Sequence, residues 1–182
     1  MGKPTFEREL KFHVTGLSDL RSRIEELGAE RETPSTFEDN VVFDREGELA
    51  AAGRLLRLRQ DHHGARLTYK GRARFEGQVK VRLEHETTVG SADEIRLLLE
   101  RLGYRIVARY EKHREEWLLG GVSIALDHTP IGDFAEFEGA GAETVASRCG
   151  FDIESAERRA YLRLYHDYLK EHPEAPAQMV FS

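Results

Sequence analysis

The sequence predicts an α+β fold in which an antiparallel β-sheet closes into a tunnel with amphipathic helices packed outside it. Three observations carry this expectation. Strand-length segments alternate apolar and charged residues with period two, so each has one face to bury and one charged face. The charged faces repeat like charges two residues apart: Glu7 with Glu9, Arg57 with Arg59, Glu84 with Glu86, Lys112 with Arg114, and Glu136 with Glu138. Three amphipathic helical segments are available to cover the apolar faces, which leaves the charged faces lining an interior.

An ordinary half-buried sheet turns its polar face to water, and alternation alone does not say which face is inside. The charge pairs decide it. Like charges adjacent on one face repel, at a cost of about a few tenths of a kcal/mol when exposed. Repeating that arrangement on several strands implies that something of opposite charge sits between them. The charges also segregate by strand, some offering carboxylates and others guanidinium or ammonium groups.

The elements follow in order. Residues 5–14 read as a strand, with Phe6, Leu10, Phe12 and Val14 opposite Glu7, Glu9, Lys11 and His13. A helix follows, with Ser18 as N-cap, a stripe of Leu20, Ile24 and Leu27, and Gly28 at its C-terminal stop. Strands are expected at 36–44, 55–60, 66–70 and 79–88. Ser91 and Glu94 are spaced as a capping box for a second helix through Ile95, Leu98, Leu99 and Leu102 to Gly103. Strands at 110–118, 122–127 and 134–138 come next, then a short helix ending at Gly150. Ser155 is expected to cap a final helix carrying Tyr161, Leu164, Tyr165 and Tyr168 on one side. Residues 1–172 form a single domain in this reading, and 173–182 a loosely ordered tail. A faint echo at an offset of 75 residues sets Glu7, Glu9 and Lys11 on Arg82, Glu84 and Glu86, and Leu27-Gly28 on Leu102-Gly103, as two similar halves would.

Composition bounds the function. The chain has 182 residues, 40% hydrophobic and 33% charged, a soluble globular balance for one domain. No apolar run approaches the roughly 18 residues that cross a bilayer, and the first ten residues lack the apolar core of a secretory signal. A single cysteine, Cys149, excludes an internal disulfide and fits a reducing compartment; the cytoplasm is the expected location. A net charge of −6 argues against a nucleic-acid partner, and nothing points to a membrane. No glycine-rich phosphate loop of the GxxxxGK[ST] or GxGxxG type occurs. The paired histidines His62 and His63 fall in a turn, and Cys149 reads as packing.

Separate acidic and basic strands facing one lumen suit a polyanion with a hard cation. Carboxylate oxygens favour Mg²⁺ or Mn²⁺, which shares its shell with substrate phosphates. Arginine binds phosphate oxygens in bidentate fashion, while lysine acts as a mobile point charge. Phosphoryl and nucleotidyl transfer need positioning and charge neutralisation above all.

The motifs in order are ExExK at Glu7-Arg8-Glu9-Leu10-Lys11, LRLR at 56–59, TYKG at 68–71, RLEHE at 82–86, EKHRE at 111–115 and ALDHTPIGDFAEFEG at 125–139. Together they resemble the CYTH, or triphosphate tunnel metalloenzyme, superfamily over about residues 5–170. The GDFAEFE ending and the Tyr-Lys-Gly turn resemble its class IV adenylate cyclase-like branch. The resemblance implies an eight-stranded antiparallel tunnel with two divalent-metal positions. It implies metal on Glu7, Glu9, Glu136 and Glu138, with Asp127 and Glu84 as further candidates. Triphosphate would lie on Arg57, Arg59, Lys70, Arg82, Lys112 and Arg114, and Lys11 would sit near the phosphates or tune the glutamates. Glu7, Glu9 and Lys11 would be the catalytic set. The implied substrate is a small triphosphate: ATP cyclised to cyclic AMP and pyrophosphate, or ATP, tripolyphosphate or thiamine triphosphate hydrolysed to orthophosphate. A non-catalytic polyphosphate-binding module is the other reading, and the resemblance implies a homodimer or a monomer. One departure bears on the reaction. Hydrolase members often carry a tyrosine pair before an aspartate, whereas the corresponding run here is Val42-Phe43-Asp44, with no hydroxyl.

Overall fold

In the computed structural model, which describes residues 5–181, eight antiparallel strands close into a barrel. Strand β1 (Thr5–Val14) leads through α1 (Leu17–Glu26) to β2 (Glu30–Asp44). A short helix α2 (Glu48–Ala51) precedes the hairpin of β3 (Leu55–Asp61) and β4 (Gly64–Lys70). The short β5 (Arg74–Glu76) pairs with β6 (Val79–Val89), followed by α3 (Ala92–Arg101) and β7 (Arg105–Leu119). The hairpin of β8 (Val122–Thr129) and β9 (Gly132–Glu138), then α4 (Ala142–Arg148) and α5 (Tyr161–Glu171), complete the chain. Neighbours around the barrel run β1-β9-β8-β7-β2-β3-β4-β6, and β6 returns to β1, so among the described residues the appended β5 is the strand with an open edge.

The 75-residue echo is a structural repeat. Helices α1 and α3 begin and end 75 positions apart, as do β2 and β7. The barrel order treats the halves alike: β9 lies beside β1 as β4 lies beside β6, and the halves also pair through β2–β7 and β1–β6. Gly28 (φ 85°) and Gly103 (φ 90°) stop the two equivalent helices in the left-handed conformation that a Cβ disfavours.

The apolar strand faces point outward and the helices cover them. Leu10, Phe12, Val81, Trp117, Ile124 and Phe137 pack under Leu20 and Ile24 of α1 and Val145 of α4. Val41, Phe43 and Leu58 pack under Leu99 of α3. Helix α5 behaves differently. Its Tyr161, Leu164 and Tyr165 pack on Val42, Tyr110 and Phe134, which share the strand faces of the inward charges, so α5 closes over one end of the lumen. Among the described residues, no helix is long and apolar enough to cross a membrane.

Several boundaries differ from the sequence expectation, each for a local reason. Strand β2 starts at Glu30 rather than 36, running through Pro34 with shifts in its register against β7 on either side. Proline cannot donate to a ladder and so reads as a break. Helix α1 begins at Leu17, with Gly16 at the cap and no side-chain cap bond, so Ser18 is not the N-cap. Ser91 does accept from the Glu94 backbone N–H, as its spacing predicts. Ser155 ends a 3₁₀ turn capped by Asp152, and α5 starts only at Tyr161. Two residues of the expected tail make specific contacts. Met179 is fully buried and bridges in parallel to Tyr110, and the Phe181 N–H donates to the Glu111 carboxylate. Two isolated apolar anchors leave no periodicity from which docking could be read.

Candidate functional site

The inward faces of the barrel strands meet in a cavity of about 250 Å³. Its wall includes Glu7, Glu9 and Lys11 from β1, Arg57 and Arg59 from β3, and Lys70 from β4. Lys80, Arg82, Glu84 and Glu86 from β6, Lys112 and Arg114 from β7, and Glu136 and Glu138 from β9 extend it. Every site residue expected from the sequence except Asp127 therefore lines one lumen. Four of the chain's six lysines stand in that wall, although lysine is ordinarily a surface residue.

The charges alternate in sign around the lumen. Lys80 stands 3.4 Å from Glu9, Lys11 lies 3.9 Å from Glu9 and 3.2 Å from Glu136, and Arg114 joins Glu136 to Asp127. Asp127 takes Lys112 at 3.0 Å, Lys112 lies 3.5 Å from Glu38, Glu38 pairs with Arg59 at 3.0 Å, and Arg59 reaches Glu86 at 3.1 Å. Because Lys80 and Glu86 both project from β6, six residues apart, this chain of pairs runs round the tunnel and returns to the strand on which it began. A second group has Lys70 between Glu7 (2.8 Å) and Glu84 (2.7 Å).

The electrostatics follow from this packing. Burial opposes charge on Lys11, but Glu136 and Glu9 outweigh it and raise the ammonium above its ordinary value. Burial likewise raises the Glu136 carboxyl, yet Lys11 and Arg114 drive it well below the usual carboxylate range. Glu7 is pushed up, first by burial, with Lys70 opposing and Glu84 adding to the rise. Glu138 lies near the lumen mouth without an ion-pair partner among the described residues. Desolvation and the charges of Glu7, Glu9 and Glu84 push it up to about 7. A carboxyl raised in this way favours the folded state when protonated, so its contribution to stability declines as pH rises from about 4.5 to 7. Relative to Glu138→Gln, the unsubstituted protein should lose melting temperature across that interval and level off above it. Parallel curves for the two proteins would contradict the assignment.

Several expected residues occupy unforeseen settings. Asp127 is fully buried outside the cavity wall, and its oxygens accept from Lys112, Arg114 and the Tyr161 hydroxyl. Arg82 lines the lumen but directs its guanidinium donors to the carbonyls of Gly71, Gly53 and Lys70. Lys80, Glu38, Tyr110 and Tyr161 were not foreseen as site residues. Lys80 shares the alternating face of Arg82 and Glu84, a usable signal. Glu38 shares parity with Asn40 and Val42, a face too mixed to read. Tyr110 accepts from Arg57 at 3.3 Å, and Tyr161 lies with the Lys11 ammonium 3.8 Å from its ring centre. His62 and His63 are exposed at the β3–β4 turn, and Cys149 sits half-buried at the end of α4 with its thiol pushed up by burial.

The donor set at the Glu138 mouth consists of carboxylate oxygens, the type that a hard divalent cation prefers. In their present rotamers, no three Asp, Glu, His or Cys side chains converge as a ready metal site among the described residues. Most of the carboxylates are instead engaged by lysine or arginine.

Comparison with known proteins accords with this geometry. A candidate adenylate cyclase of Vibrio parahaemolyticus superposes with a TM-score of 0.79 at 22% identity, covering 90% of this chain and 99% of its own. A Pyrococcus horikoshii protein superposes with a TM-score of 0.76 at 26% identity, over 89% of this chain and 99% of its own. A Hippeastrum candidate adenylyl cyclase, whose structure is described as revealing a dominant triphosphatase activity, gives 0.59 at 18% identity, over 92% and 88%. No curated protein matches the sequence. The CYTH domain family model matches residues 5–162, most of the chain, and the protein belongs to the CYTH domain family.

Proposed function

We propose that this protein is a metal-dependent enzyme that binds a small-molecule triphosphate inside the tunnel and breaks one of its phosphoanhydride bonds. The observation that carries this reading is the convergence of Arg57, Arg59, Lys70, Lys112 and Arg114 with Glu7, Glu9, Glu84, Glu136 and Glu138 on one lumen. A linear triphosphate carries several negative charges, and the basic side chains would exchange their carboxylate partners for its oxygens. Glu7, Glu9, Glu84 and Glu138, joined by Glu136, would hold Mg²⁺ or Mn²⁺. Such a cation supplies charge neutralisation at the phosphate oxygens. Asp127, with its oxygens already engaged, holds Lys112 and Arg114 in place instead. Lys11, fixed between Glu9 and Glu136, keeps a positive charge on the glutamate side of the lumen.

Adenylate cyclase chemistry is the first assignment, because the residue run 133–139 and the turn at 69–71 resemble that branch. In it the ribose 3′-oxygen bonds to the α-phosphorus, the bond from that phosphorus to the α–β bridging oxygen breaks, and the hydroxyl proton is lost as pyrophosphate leaves. Triphosphate hydrolysis is the second reading, and one observation favours it. Although β2 offers no tyrosine at Val42, β7 brings the Tyr110 hydroxyl into the lumen beside Arg57. In hydrolysis a water oxygen bonds to the terminal phosphorus, the bond to the β–γ bridging oxygen breaks, and orthophosphate leaves.

Incubation with ATP or tripolyphosphate and Mg²⁺ or Mn²⁺, with all products resolved, tests the proposal. Cyclic AMP with pyrophosphate supports the cyclase, orthophosphate supports the hydrolase, and binding without turnover rejects an enzyme. Arg57→Ala should weaken tripolyphosphate binding by about 1.5–3 kcal/mol, the loss of a charge-assisted contact. Unchanged affinity in equilibrium dialysis would remove Arg57 from the binding set.

A further inference from the structure

We infer that Glu38 is a fixed countercharge behind the basic wall, which limits how tightly the lumen retains a polyphosphate and so lets product leave. The inference rests on the triphosphate reading above and goes beyond it to a residue outside the expected site. Glu38 projects from β2, between the two strands that carry the basic pairs. Its carboxylate accepts from Arg59 at 3.0 Å and lies 3.5 Å from the Lys112 ammonium, spanning β3 and β7.

Burial separates Glu38, together with Asp127, from the other anions of the encircling chain. Glu9, Glu86 and Glu136 line the cavity, where a cation or solvent entering the lumen meets them directly. Glu38 is 4% exposed and is not part of the cavity wall. Its second oxygen makes no hydrogen bond, and both amide atoms of neighbouring Asn40, itself fully buried, are also without a partner. Charge attraction to Arg59 and Lys112 is therefore the main tie on this carboxylate, and it stays in place whatever the lumen holds. A buried negative charge one side chain behind the phosphate site lowers the attraction for substrate and product alike. Stronger uniform binding would not speed the reaction; it would retain pyrophosphate or orthophosphate.

The opposing expectation is that Glu38 only braces Arg59 and Lys112. Each has a second tie, Arg59 to Glu86 and Lys112 to Asp127, so loss of Glu38 leaves both anchored while adding one net positive charge. The two roles predict opposite signs of effect.

The test is titration of the intact protein with inorganic tripolyphosphate at fixed ionic strength, without metal, for the unsubstituted chain, Glu38→Gln, Glu38→Met and Glu38→Asp. Removing the charge should tighten binding about tenfold in the glutamine and methionine variants. It should also strengthen inhibition by pyrophosphate and lower kcat, while the aspartate variant stays near the original affinity. Equal or weaker binding by folded Glu38→Gln and Glu38→Met overturns the countercharge role, as does tightening in Glu38→Asp. Failure of both neutral variants to fold makes Glu38 a stability residue and equally overturns it. If the unsubstituted protein does not bind tripolyphosphate, the triphosphate reading itself has failed, a result distinguishable from all of these.

Discussion

Glu9→Gln should lower turnover about 10²- to 10³-fold while leaving the fold and melting temperature nearly unchanged. Glu9 faces the lumen from β1, between Lys80 at 3.4 Å and Lys11 at 3.9 Å. Glutamine keeps the volume and one acceptor oxygen but removes the negative charge proposed to hold the divalent cation. Loss of charge stabilisation at the transferring phosphoryl group is worth several kcal/mol, which sets the size of the fall. The lesion should appear in kcat, because a cation that neutralises charge developing in the transition state contributes most at that point. A normal rate at saturating metal would remove Glu9 from the metal set.

Asp127→Asn should be among the most destabilising conservative changes available in this chain. Its carboxylate is fully buried and takes Lys112, Arg114 and the Tyr161 hydroxyl together. The amide leaves two buried cations without their shared anion, which typically costs about 3–5 kcal/mol. For a chain of this size that is a fall of about 6–20 °C in melting temperature. Because Tyr161 belongs to α5, the helix should also loosen from the lumen end, and hydrogen exchange along residues 161–171 should rise. A melting temperature within about 1 °C of the unsubstituted protein would contradict the picture of Asp127 as the shared anion of Lys112 and Arg114.

The barrel and most of its inward charges were legible in the sequence because strand alternation fixes which side chains share a face. The pairs at Arg57 and Arg59, Lys112 and Arg114, and Glu136 and Glu138 needed only the period of two and the decision that these faces point inward. What escaped was set by tertiary contact. Nothing local separates Asp127, on the inward side but buried under α5, from a lumen carboxylate. Arg82 alternates with its strand, yet its guanidinium is spent on the carbonyls of a turn formed by distant residues. Glu38 shares its strand face with Asn40 and Val42, a mixed face that does not mark it as an inward charge. The seating of α5 on Val42, Tyr110 and Phe134 was invisible because an amphipathic helix covers an outer wall or a lumen end with the same stripe of residues.

Lysine reactivity mapped by mass spectrometry, with and without tripolyphosphate, tests the central claim most directly. Lys70 and Lys80 keep 14% and 15% of their side-chain surface accessible within the lumen, whereas Lys170 on α5 is 57% accessible outside it. A triphosphate seated among the inward charges should protect Lys70 and Lys80 from acylation in proportion to its occupancy and leave Lys170 unchanged. Saturating tripolyphosphate that leaves Lys70 and Lys80 as reactive as before would contradict a lumen site.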